Sequence, residues 1–312
     1  MLFFGVLQQE YHLVMRKSNK YISLCIPLIH LSLMGGSLFT ASAQSGWTKA
    51  ADEAFFKLSY LNFQSEDYYN LSGEQMTTSQ FSQQAIGLYG EYGVTDRLTV
   101  LVDWPMLKRQ GFETTENVYG TGDLKLGVKY ALVKKIPISL SIVPELPIAK
   151  ANKYAQNENP ALGNINLPTG DGEFNVFTTL AISSSLHPLP AYINLYGTFN
   201  YRTKYQDISL SNQLMEGVEV GYNPFATLWV KAGVKLQQTL GDGSSAVSFI
   251  RGEGTEFSSL FAGAFYKFTE AWGIDLTYFG YLDGPVKSAN VYQGPVLSVG
   301  LVYDVKQLLR GD

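Results

Sequence analysis

From Glu53 onward apolar and polar residues alternate with a period of two, not the 3.6 of a helix, in segments of about ten residues. In Gly122 to Leu132 the side chains of Leu124, Leu126, Val128, Tyr130 and Leu132 share one face, and Asp123, Lys125, Gly127, Lys129 and Ala131 the other. Phe174, Val176, Leu180 and Ile182 alternate in the same way with Glu173, Asn175, Thr179 and Ser183. Twelve such strands are predicted, over 53–63, 80–92, 98–107, 121–132, 138–148, 172–184, 191–203, 214–222, 227–240, 256–267, 272–281 and 290–305. About ten residues is what a tilted strand needs to cross a bilayer. An apolar face opposite a polar, Gly-rich one suits lipid outside and a wet lumen inside.

The connections sort by length. Those at 93–97, 133–137, 185–190, 223–226 and 268–271 are short and carry turn residues such as Asn223-Pro224, whereas those at 64–79, 108–120, 149–171, 204–213, 241–255 and 282–289 are longer. Alternation of tight turns with long loops predicts an all-β, 12-stranded antiparallel transmembrane β-barrel over 53–305, with short periplasmic turns and long extracellular loops. The longest loop, 149–171, carries Tyr154, Asn157, Asn159 and Asn164 and is expected to fold into the mouth as a constriction.

The first 43 residues read as a cleaved signal peptide: Arg16, Lys17 and Lys20 precede an apolar Tyr21 to Phe39, and Ala41-Ser42-Ala43 follows. Residues 1–14, ahead of Met15, suggest an over-called start. A periplasmic segment, 44–52, then leads into the barrel, and 306–312 is a periplasmic tail. The lone cysteine, Cys25, falls in the leader. Past residue 44 no apolar run approaches the ~18 residues of a spanning helix, and 20 basic against 26 acidic side chains, with no basic run, speak against nucleic acid as a partner.

Parity places Lys57, Lys125, Lys129, Arg202, Lys231, Lys235 and Lys267 in the lumen with Glu91, Asp103, Asp123, Glu173, Glu219, Asp275 and Asp304. Seven charges of each sign predict pairing across strands, not the one-sign ring of an ion-selective porin. Opposed residues of a hairpin have a constant sum of positions. The turn at 185–190 sets that sum near 375, matching Glu173 with Arg202; the turn at 223–226 brings Glu219 toward Lys231. Catalytic, cofactor and metal sites are not expected. The sole histidine after the leader, His187, sits in a short turn, and Asp171-Gly172-Glu173 and Gly241-Asp242-Gly243 read as turns before calcium ligands.

Leu88-Tyr89-Gly90-Glu91-Tyr92-Gly93-Val94-Thr95-Asp96-Arg97-Leu98, Gly122 to Tyr130 and Pro168-Thr169-Gly170-Asp171-Gly172-Glu173-Phe174-Asn175 resemble the Bacteroidetes-like outer-membrane barrels of the MetA-pathway of phenol degradation, or putative transporter, family. The resemblance implies passage of small aromatic or hydrophobic compounds across the outer membrane, and supplies no catalytic residues. The expected function is a passive channel with the lipid bilayer and a small solute as its partners. The alternatives are a structural or adhesive barrel without transport and, third, an outer-membrane hydrolase.

Overall fold

A computed structural model describes residues 44–206, 208–241, 252–306 and 308. The predicted leader, residues 242–251 of the loop that includes Asp242 and Gly243, and most of the predicted tail lie outside the described residues. Twelve strands form the wall: β1 (Ala54–Tyr69), β2 (Gln75–Thr95), β3 (Leu98–Phe112), β4 (Leu124–Val133), β5 (Ile138–Leu146), β6 (Asn175–Ser185), β7 (Ala191–Arg202), β8 (Asn212–Phe225), β9 (Leu228–Leu240), β10 (Phe257–Lys267), β11 (Trp272–Leu282) and β12 (Val296–Val305). Each pairs antiparallel with its neighbours in sequence, and β1 pairs with β12 from Ala54 opposite Val305 to Phe63 opposite Val296, so the sheet closes. Closure leaves no strand edge unpaired, which a bilayer core demands. Among the described residues no helix is long and apolar enough to cross a membrane.

The burial pattern is that of a water-soluble protein turned inside out. Leu58, Val128, Leu180, Leu195, Leu276 and Leu297 are exposed on the outer surface, while Lys57, Lys129, Glu173 and Asp275 are buried within. Alternation therefore reports a lipid-facing side and a lumen side, with one apolar belt around the whole wall.

Two departures from the sequence pattern matter for the lumen. The connection expected at 64–79 is no long loop: β1 and β2 stay paired out to Tyr69 opposite Gln75, leaving Asn70–Glu74 as a tight turn. Apolar alternation stops at the membrane boundary, but backbone pairing does not, and Asn70 Oδ1 closes the turn by accepting from Ser72 N and Glu74 N. The second departure is a bulge in β3. Ile86 faces Leu107 whereas Leu88 faces Trp104, so one extra residue lies on β3 and the inward face moves from Pro105 to Lys108.

In both hairpins the residue facing the cation lies two positions beyond the glutamate matched to it from sequence. Arg202 faces Asn175, and Lys231 faces Gly221. A shift of two preserves the face, so Glu173 and Glu219 remain diagonal neighbours of those cations on the lumen side.

Candidate functional site: a filled lumen

At the end with the short turns, residues 44–49 enter the barrel before the chain turns back into β1. Ser139 Oγ donates to Ser45 O (2.7 Å), Gly46 N donates to Ser183 Oγ (2.8 Å), Lys129 Nζ donates to Trp47 O (3.1 Å) and Lys49 N donates to Thr99 Oγ1 (2.9 Å). The Trp47 ring meets Tyr192 edge-on at 5.9 Å, and Tyr192 in turn packs on Trp229. The segment read from sequence as periplasmic thus occupies the mouth. Inward-facing serine, threonine and lysine side chains need acceptors and donors once buried, and this strip of backbone supplies them.

Above this lies a belt of ion pairs. Asp275 bridges Lys57 (3.5 Å) and Lys231 (3.2 Å), Glu91 meets Lys129 (3.3 Å), and Glu145 meets Lys125 (3.3 Å), whose ammonium also lies over the Phe177 ring. Glu219 accepts from Tyr192 OH (2.8 Å) and Asn194 Nδ2 (3.0 Å). Lys129 and Asp275 are 0% exposed, so these charges are packed against one another instead of lining a wide aqueous bore. Burial of this kind is tolerated only with partners in place.

Toward the long loops the lumen divides. One wall, from β1, β2, β10, β11 and β12, is apolar and aromatic: Leu61, Phe63, Phe81, Phe257, Phe261, Phe279 and Val296 form a buried cluster with Tyr281 and Tyr292, and Phe81 stacks on Tyr292 at 4.8 Å. The loop between β5 and β6 lays Ala155, Ile165 and Leu167 onto that wall. The other side of the loop is held by polar groups. Lys108 Nζ donates to Thr169 O (2.9 Å), Gln110 Nε2 to Pro168 O (2.7 Å), and Asp123 accepts from Ala149 N (3.0 Å) and Asp171 N (2.9 Å), pinning both ends of the loop. Gly170 allows this closure: a Cβ there would lie 2.3 Å from Asp123 Oδ2 and 2.6 Å from Ala149 Cβ. Burial, reinforced by the charge of Glu145, pushes the Asp171 carboxyl up to about 6.

Arg202 completes the cap. Its guanidinium meets Glu173 at 2.6 Å and Glu253 at 3.2 Å and donates to Gly252 O, tying the segment ahead of β10 to the end of β7. Glu253 also accepts from Ser211 N, so three connections converge on one buried cation.

The barrel has counterparts among solved structures. It is similar to an outer-membrane channel of Pseudomonas putida F1 (TM-score 0.62, 14% identity, covering 85% of this chain and all of that one). The fold is that of an outer-membrane β-barrel. The NanC porin (TM-score 0.49, 7% identity, covering 80% of this chain and all of that one) and the translocator domain of the autotransporter NalP from Neisseria meningitidis (TM-score 0.49, 9% identity, 81% and 88%) are more distant. No family model matches the sequence, and no curated protein does.

Of the lumen residues named from sequence, Lys57, Lys125, Lys129, Arg202, Lys231, Glu91, Glu173 and Asp275 stand in the ion pairs above, and Lys235, Asp103, Asp123 and Glu219 are buried. The loop residues are placed differently. Tyr154 and Asn164 are exposed; Asn157 Oδ1 accepts from Asn159 N, and Asn159 caps the short helical turn Pro160–Leu162. Asparagines satisfy their own turn, while apolar neighbours take the aromatic wall. Sequence reasoning missed Lys108, because it placed 108–120 in a connection whereas the strand continues past the bulge to Phe112, and Glu253, because it belongs to no periodic segment. It also missed Glu145, which parity with Ser141 and Val143 would have found. Among the described residues no group of His, Cys, Asp or Glu is arranged to hold a metal ion.

Proposed function

We propose that this barrel is a passive outer-membrane channel for small hydrophobic or aromatic solutes, in a closed state. In this reading the leader is removed after Ala43, the short turns face the periplasm and the long loops face outward. The observation that carries it is the aromatic wall inside the lumen. Apolar side chains on the outer surface answer to lipid, but Phe63, Phe81, Phe257 and Phe279 face inward beneath a loop, where a structural barrel needs no such surface. The resemblance of the Leu88 to Leu98 and Pro168 to Asn175 segments to the phenol-degradation transporter barrels, and the outer-membrane channel among the similar structures, support the same reading.

The paired charges fit a neutral or apolar cargo. A fixed ring of one sign selects ions, whereas salt-bridged pairs present little net field. His187, in the turn after β6, lies at the barrel end opposite the long loops, which leaves a Ser/His hydrolase acting on external-leaflet lipid without its base.

The burial of the ionic belt favours a second reading, a barrel that conducts nothing. Liposome swelling separates the two. The channel reading expects slow permeation of neutral aromatic solutes in the wild type, rising when residues 152–166 are deleted, with charged solutes of equal size passing less readily. Absence of permeation by aromatic solutes in both folded proteins would leave the non-conducting barrel.

A further inference from the structure

The segment 44–49 is held differently from the rest of the chain. Outside any strand, it takes its named hydrogen bonds from side chains of the wall and not from the strand ladder, and its partners come from five strands: Thr99 (β3), Lys129 (β4), Ser139 (β5), Ser183 (β6) and Asp304 (β12). Tyr192 on β7 adds a ring contact to Trp47. A strip of chain that touches half of the strands at one end of a barrel spans its opening. It can leave without breaking the hydrogen bonds that close the sheet.

We infer that residues 44–49 are a gate at the short-turn end, in series with the loop cap at the other. Gly46 is the seat of the gate. A Cβ on it would lie 1.9 Å from Pro137 O and 2.8 Å from Ser183 N, and both atoms belong to backbone that cannot swing aside. Any larger residue at 46 forces the segment out of the mouth while the wall remains paired. The ionic contacts reinforce the closed position: Lys49 Nζ lies 3.0 Å from Asp304, and Lys129 shares its ammonium between Trp47 O and Glu91. Withdrawal of the segment returns Lys129 to Glu91 alone and opens the floor of the lumen.

The gate rests on the channel reading, so the experiment opens the two ends separately. Full-length chains carrying the 152–166 deletion, alone, with Gly46→Val, or with residues 45–49 also deleted, are folded into liposomes, checked by heat-modifiable gel migration, and assayed by swelling with a neutral aromatic solute. With the outer cap removed, the floor limits flux, so Gly46→Val and the 45–49 deletion should each raise the swelling rate severalfold above the loop deletion alone. Equal rates with and without Gly46→Val would overturn the gate, provided the deletion of 45–49 is also without effect. Failure of both variants to fold would assign the segment to assembly and equally overturn it. Absence of permeation in every barrel, the doubly opened ones included, would sink the channel reading itself.

Discussion

Arg202 offers the sharpest test of the outer cap. Replacing it with methionine keeps an unbranched apolar stem but removes the guanidinium and its charge, leaving Glu173 and Glu253 buried without their shared cation. At 2.6 and 3.2 Å the two ion pairs have gross attractions of about 6 and 5 kcal/mol at an effective dielectric constant of about 20. Most of this is offset by desolvation and by repulsion between the carboxylates. Breaking a buried pair from one side costs about 3–5 kcal/mol net. At about 1.4 kcal/mol per tenfold, that shifts the docking equilibrium of the segments around Glu173 and Glu253 by a hundredfold to a few thousandfold. Trypsin cleavage of the long loops in proteoliposomes tracks the undocked population when docking is fast relative to cleavage, so Arg202→Met should be cut far faster than the wild type. Adding Glu173→Gln and Glu253→Gln should recover much of the protection, because the orphaned charges are gone. Unchanged cleavage in Arg202→Met, or a triple variant as labile as the single one, would refute the assignment of Arg202 as the tie that holds the cap.

Three further outcomes follow from the same contacts. Because the docked loop raises Asp171 to about 6 against about 3.9 in solvent, the docked state binds the extra proton. Docking is therefore favoured most below about pH 4 and loses the Asp171 support as pH rises through about 6; proteolytic protection should be greater at pH 5 than at pH 8, and Asp171→Asn should reduce the difference without abolishing it, because burial also pushes the Glu173 carboxyl up to about 8. Asp275→Asn leaves Lys57 and Lys231 buried without their shared carboxylate and should destabilise the barrel by about 3–5 kcal/mol, read as a lower temperature for loss of its heat-modifiable gel shift. An epitope at Asn157, which precedes the exposed residues 158–164 of the loop, should be reached by antibody on intact cells and one at Thr95 should not; surface labelling at Thr95 would reverse the orientation.

The wall was legible in the sequence because lipid imposes one rule on every strand. Backbone groups must be paired within the sheet and outward side chains must be apolar, so period-two segments such as Leu124 to Leu132 mark both the strand and its facing. The same parity brought Arg202 toward Glu173, since a register displaced by two returns each side chain to the same face. The contents of the lumen obey no such periodic rule. Residues 44–49, 167–171 and 252–256 enter the barrel through irregular backbone, and they do so because buried groups on distant strands require partners: Ser139 and Ser183 for the first, Lys108 and Gln110 for the second, Arg202 for the third. A single extra residue in β3 decided that Lys108 is among those groups. Which donor meets which acceptor depends on twelve strands being closed into a ring, and only the tertiary structure fixes that arrangement.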